Sequence, residues 1–182
     1  MKIKVSVFVC LLSLIAGCAS NQSSISPNRI SSQPVVSIVP RIPWPINEYE
    51  KIQTDGRFEI SGQAFMKTRG GEVKVAAGET VVLSPVTSYS KQFFDFYIRG
   101  KKERFQELGS NVDSRIYDFI KTSIADAEGR FRFQGVKEGH YFLYTKVFWE
   151  VPTSSGLHRE GGYLGKEVVI PNENQSEIIL TR

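Results

Sequence analysis

The sequence predicts an all-β fold: an antiparallel β-sandwich of seven strands that carries a helical insertion. Three observations predict it. Short runs with alternating apolar residues recur between turn residues, as half-buried strands require. No helical period runs through those segments. One stretch, residues 86–119, breaks the rhythm and has helix-forming composition.

The first element is a secretion signal. Lys2 and Lys4 give a short positive region, and Val5–Ile15 is an uncharged, mostly apolar run of 11 residues. A membrane-spanning helix needs about 20 residues, whereas a signal-peptide core is shorter and is followed by small residues. The junction Leu14-Ile15-Ala16-Gly17-Cys18 resembles the lipobox of bacterial lipoproteins. That resemblance implies cleavage after residue 17 and a lipid on Cys18, hence a membrane anchor in the bacterial envelope. Ala19, where an aspartate would retain the protein in the inner membrane, implies the outer membrane and a periplasm-facing domain. One acyl chain anchors marginally, and two or three anchor durably. Cys10 falls within the signal, so the mature chain is expected to have no disulfide and no cysteine ligand. Losing Lys2 and Lys4 leaves 21 Lys+Arg against 19 acids, a formal +2, which gives no sign of a nucleic-acid partner.

Residues 18–47 read as a flexible tether. Ser, Asn, Gln and five prolines (Pro27, Pro34, Pro40, Pro43 and Pro45) suit neither a helix nor a central strand. Val35, Val36, Ile38, Val39, Ile42 and Trp44 are more apolar than a solvated linker needs. They are expected to pack on the domain's own surface or, failing that, to dock a partner.

Residues 48–182 form the sandwich. Phe58–Met66 is the first strand, Glu72–Ala76 a short extended piece, and Thr80–Ser84 the next strand, closed by Pro85. Ile120–Ala125 follows, and Asp126-Ala-Glu-Gly129 is a turn with glycine where φ > 0 is tolerated. Arg130–Gln134 alternates, so Phe131 and Phe133 face the core. His140–Val151 is a long aromatic strand, and residues 162–170 and 177–181 complete the set. Within the insertion, Ser90–Leu108 predicts one helix or two, with Phe93, Phe94, Tyr97, Ile98, Phe105 and Leu108 as an apolar stripe. An insertion of this length is usually functional or separately structured.

Thr122–Tyr144 reads TSIADAEGRFRFQGVKEGHYFLY. This is similar to the signature of the carboxypeptidase regulatory-like domain, a transthyretin-like β-sandwich, through Asp126, Gly129, Phe131, Phe133, Gly135, Val136, Gly139 and Tyr141. Ile60–Ala64 and Thr80–Leu83 resemble the same family's opening strands. The resemblance implies a fold rather than a chemistry. Asp126 suits acceptance of backbone N–H groups in its turn. Gly135 and Gly139 would bracket a tight link between two antiparallel strands, and Tyr141 would bury its ring and direct its hydroxyl to the backbone.

No reactive constellation stands out. The only histidines, His140 and His158, fall short of a zinc ligand set. There is no Gly-x-Ser-x-Gly elbow and no glycine-rich phosphate loop, so no cofactor and no enzyme activity are expected. The candidate partner surface is the basic cluster Arg99, Lys101, Lys102 and Arg104 beside Phe93, Phe94 and Tyr97. It suits an acidic envelope protein, peptidoglycan or lipid headgroups. Tyr144, Phe148 and Trp149 lie on the long strand; one face belongs to the core, and the alternate residues offer an aromatic carbohydrate platform. The sequence therefore reads as a membrane-anchored, non-catalytic binding or scaffold module, an accessory subunit of an envelope assembly. The alternative is a lipoprotein that binds envelope polysaccharide or peptidoglycan, and a hydrolase is the weakest of the three.

Overall fold

A computed structural model describes residues 35–103, 106–171 and 177–182. Its elements run β1 (Ser37–Val39), α1 (Ile46–Tyr49), β2 (Phe58–Lys67), β3 (Val73–Val75), β4 (Thr80–Pro85) and α2 (Ser88–Phe93), which passes into a π-helical turn (Phe94–Ile98). Then come β5 (Gln106–Leu108), a 3₁₀ turn (Ser114–Asp118), β6 (Lys121–Ile124), β7 (Arg130–Val136), β8 (Gly139–Thr153), β9 (Gly156–Ile170) and β10 (Ile178–Leu180).

Two four-stranded sheets form the sandwich. In the first, β2 pairs antiparallel with β7 and then with β3, and in parallel with β10. The second has the order β6-β4-β8-β9 and is antiparallel throughout. Glu72–Ala76 supplies the eighth strand. Alternation decides the core. Phe131, Phe133 and Val136 of the first sheet meet Val81, Leu83, Leu143, Val147, Leu164 and Val168 of the second, with Trp149 packed at the margin. Burial of that apolar set is the main stabilising term, at about 25 cal/mol per Å² removed from water.

The Asp126–Gly129 turn shows why these residue types stand there. Asp126 Oδ1 accepts the N–H groups of Glu128 (3.0 Å) and Arg130 (2.8 Å). Gly129 sits at φ +76°, and a Cβ there would lie 2.6 Å from the Ala64 carbonyl oxygen. Tyr141 buries its ring and donates its hydroxyl to the Lys137 carbonyl at 2.9 Å. One expectation needs correction. Gly135 and Gly139 do not bracket a hairpin, because β7 and β8 lie in different sheets. Gly135 (φ +63°) is inside β7, where its carbonyl accepts Gly56 N–H at 3.0 Å, and Lys137-Glu138 crosses between the layers.

Two regions stand outside the sandwich. Residues 37–47, assigned above to the tether, include β1, which pairs in parallel with β5. Ile42 and Trp44 pack into a second apolar cluster with Tyr49, Tyr89, Ile116, Phe119 and Ile120. The Gln92 amide links the two, accepting Ile42 N–H and donating to the Pro40 carbonyl. Val35, Val36 and Ile38 remain exposed. Cys18 lies outside the described residues. The insertion is also less helical than its composition predicts. Its helix ends at Ile98, Gly100 takes φ +68°, and Leu108 is a buried strand residue opposite Val39 instead of part of a helical stripe.

Candidate functional site: an aromatic face on the second sheet

The long strands β8 and β9 pair through fifteen residues each, but β4 covers β8 only from Tyr141 to Tyr144. Beyond that point the hairpin extends as a two-stranded ribbon. Alternation turns Phe142, Tyr144, Lys146 and Phe148 away from the core, and their β9 partners Glu167, Gly165, Tyr163 and Gly161 point the same way.

The insertion seats on the inner part of this outer face. Phe94 is buried and stacks on Phe142, with ring centroids 4.2 Å apart at 15°. Gly165 makes the close approach possible, since a Cβ there would meet Ile98 Cγ2 at 2.8 Å and Phe94 Cε2 at 3.0 Å. Thr87 and Ser90 start α2 with reciprocal caps: Ser90 N–H donates to Thr87 Oγ1 at 3.1 Å and Thr87 N–H to Ser90 Oγ at 2.9 Å. The π turn, closed by Arg99 N–H to the Phe94 carbonyl at 3.0 Å, brings Phe93 and Tyr97 to the rim of the seat. Turns of this kind are frequent at functional sites.

The rim is a ring network. Phe93 lies 4.9 Å from Tyr97, 5.2 Å from Tyr144 and 6.0 Å edge-on to Tyr163. Tyr97 is 5.4 Å from Tyr163, which is 6.2 Å edge-on to Phe148. Phe93, Tyr97, Phe148 and Tyr163 are all half-buried. Polar groups frame them. The Arg159 guanidinium covers one face of Phe148 at 4.0 Å, Lys102 Nζ lies 6.0 Å from the Tyr97 ring, and Lys146 pairs with Glu79 at 3.5 Å. Burial pushes the Tyr144 phenol up to about 12, so it stays protonated at neutral pH.

The predicted surface residues therefore divide. Phe94 is structural. Phe93 and Tyr97 join the rim. The basic cluster is paired in part: Asp95 holds Lys91 (2.6 Å), Arg99 (2.9 Å) and Lys101 (2.9 Å), and Arg99 reaches Glu167 at 3.2 Å, whereas Lys102 makes no ion pair among the described residues. Burial would raise the Asp95 carboxyl, but hydrogen bonds from Lys91, Lys101 and Arg99 outweigh it and hold the group at about 2. Arg104 lies outside the described residues. Trp149 packs on the core rather than the platform. The signature residues Asp126, Gly129, Phe131, Phe133, Gly135, Gly139 and Tyr141 lie in the turns and core described above, apart from this face. Tyr163 and Arg159 did not emerge from sequence reasoning. The signal that places them is their parity on β9 relative to Phe148 on β8.

Among the described residues no three His, Cys, Asp or Glu side chains are placed to hold a metal ion. His140 and His158 stand opposite Val169 and Val151 in the β8–β9 ladder. They are thus eleven rungs apart, about 36 Å at 3.3 Å per residue. Among the described residues no helix is long and apolar enough to cross a membrane.

The fold thus defines an eight-stranded sandwich with a short helical insertion. It is similar to a crystal structure of a candidate carbohydrate-binding protein from Pseudomonas aeruginosa, at 24% identity with a TM-score of 0.68, covering 78% of this chain and 99% of that one. No protein-family model matches the chain, and no curated protein matches it in sequence.

Proposed function

We propose that this chain is a lipid-anchored, non-catalytic module that binds carbohydrate of the bacterial envelope. The observation that carries the reading is the rim of Phe93, Tyr97, Phe148 and Tyr163 framed by Arg159, Lys102 and Lys146. Sugar rings present apolar C–H faces bordered by hydroxyls, so they are met by aromatic surfaces with hydrogen-bonding groups at the edge. The Pseudomonas protein's description supports the same ligand class. The succession of signal segment, lipobox and Cys18 in the sequence supports the anchor, Ala19 supports outer-membrane sorting, and the residues from Asp126 to Tyr141 support a carboxypeptidase regulatory-like sandwich.

The test is sedimentation with purified peptidoglycan together with a glycan array. Phe148→Ala and Tyr97→Ala are each expected to weaken binding by about five- to thirtyfold, since one stacked ring is worth roughly 1–2 kcal/mol. Unchanged binding in both variants overturns the site. An absence of any glycan binding, with an envelope protein crosslinked in cells instead, returns the chain to the scaffold reading. Fatty-acid labelling that survives Cys18→Ser overturns the anchor.

A further inference from the structure

β9 is the edge of the second sheet. Among the described residues, no backbone group of Leu157–Val169 hydrogen-bonds to anything but β8. A long edge whose backbone groups are unpaired is a template for another strand, and its charges decide which strand can pair with it. Its sequence, Gly156-Leu-His-Arg-Glu-Gly-Gly-Tyr-Leu-Gly-Lys-Glu-Val-Val-Ile170, is self-complementary about Tyr163. Set antiparallel to a second copy with Tyr163 opposite Tyr163, the strand places Arg159 opposite Glu167 and Glu160 opposite Lys166, each pair twice by symmetry.

Parity supports the register. Arg159 and Glu167 both lie on the outer face, and Glu160 and Lys166 both lie on the inner one, so each pair would meet on one side of the joined sheet. Gly161 would face Gly165, with no side chain beside the two tyrosines. Gly161 takes φ +106°, and the opposing glycine leaves its backbone unobstructed. Charge pairing within the chain is also incomplete in the right places. Among the described residues Glu160, Lys166 and Arg159 have no ion-pair partner, while Glu167 meets Arg99 at 3.2 Å and His140 only at 3.9 Å.

We infer that β9 pairs with β9 of a second copy of this chain, antiparallel and centred on Tyr163, joining two four-stranded sheets into one of eight strands. A two-fold axis normal to the sheet keeps both outer faces on one side, so the aromatic rims would adjoin across the seam. The inference stands on the strand edge and its charges, whatever the rims bind.

The test uses the full chain extracted from membranes in detergent, with two copies carrying different affinity tags. Arg159→Glu and Glu167→Arg each place like charges across the seam, and each is expected to lower co-purification of its own two tagged copies by about tenfold. Mixing Arg159→Glu with Glu167→Arg restores opposite charges at both pairs, so the mixed species is expected to recover wild-type co-purification. Directly opposite residues lie about 4.5–5.5 Å apart between Cα atoms, within disulfide range. Tyr163→Cys should therefore form a dimer on a non-reducing gel. Leu157→Cys, 69% exposed but twelve residues from the register that would bring it to its own copy, should not. A mixture no better than the single variants, or equal crosslinking at both positions, overturns the pairing.

Discussion

Two glycines with nearly the same backbone separate conformational strain from steric contact in this fold. Gly129 has φ +76° and Gly78 has φ +72°. Both are in turns of the sandwich, and each donates its N–H, to the Asp126 and Ala125 carbonyls respectively. Placing an L-residue in this region costs about 1–2 kcal/mol, offset by about 0.4–1 kcal/mol because alanine restricts the unfolded chain. Gly78→Ala pays only that net cost, since a Cβ at residue 78 meets nothing within 4 Å. Gly129→Ala pays it as well, and its Cβ would lie 2.6 Å from the Ala64 carbonyl oxygen and 3.1 Å from Val75 Cβ. Ala64 cannot yield freely, because its N–H donates to the Gly129 carbonyl at 2.9 Å and its carbonyl accepts Ala76 N–H at 2.9 Å. Relief therefore opens the junction of β2, β3 and β7, at a further cost of about 1–3 kcal/mol. The expected losses are about 1 kcal/mol for Gly78→Ala and about 2–4 kcal/mol for Gly129→Ala. In thermal unfolding followed by circular dichroism, the gap corresponds to roughly 3–10 °C in Tm at this chain size. Equal shifts in the two variants refute the packing argument, and a larger shift for Gly78→Ala inverts it.

Other perturbations read the remaining parts. Trp44→Ala strips a ring stacked 3.9 Å from Tyr49 and should cost about 2–4 kcal/mol by urea denaturation; a loss under 0.5 kcal/mol would mean that residues 40–47 do not belong to the folded unit. Asp95 ionises at about 2 in the folded chain against an ordinary 3.8. Its ion pairs thus contribute fully above about pH 4 and are lost as pH falls through 2, so Asp95→Asn should flatten the acid limb of Tm against pH. Tyr144 has the opposite sign. With its phenol raised from 10.0 to about 12, its contribution is complete below pH 10 and disappears as pH rises through 12, and Tyr144→Phe should leave Tm unchanged at pH 7 while removing part of the alkaline decline.

What the sequence made legible was local or strictly periodic. Phe131 and Phe133 announce a strand facing a core because the period of two admits one register. Asp126 and Gly129 announce their turn because the side chain and the φ value act within four residues. The insertion shows where this logic fails. Composition favours a helix through Leu108, but Gly100 turns the chain out of it, and Leu108 is claimed by Val39, sixty-nine residues upstream in sequence. No local propensity contains that pairing. The basic cluster shows a related limit. Arg99 and Lys101 look free in one dimension, whereas Asp95, four and six residues before them, gathers both together with Lys91.

The aromatic face depends on two features that sequence reasoning met separately. One is the length of β8 and β9, which carries Phe148 and Tyr163 beyond the reach of β4. The other is the insertion, which delivers Phe93 and Tyr97 to the same place. Gly165 couples them, for without its missing Cβ the helix could not settle at the depth that brings Phe93 within 5.2 Å of Tyr144. A larger residue at position 165 should therefore separate two properties that a purely structural insertion would keep together. Gly165→Val is expected to lift the helix, scatter the rim's four rings and abolish the proposed glycan binding, while the opposed core of Val81, Leu143 and Leu164 keeps the sandwich folded and cooperative in thermal unfolding. If glycan binding survives in a variant whose helix has measurably lost its circular dichroism signal, the insertion is a support for the sheet and the binding face lies on the strands alone.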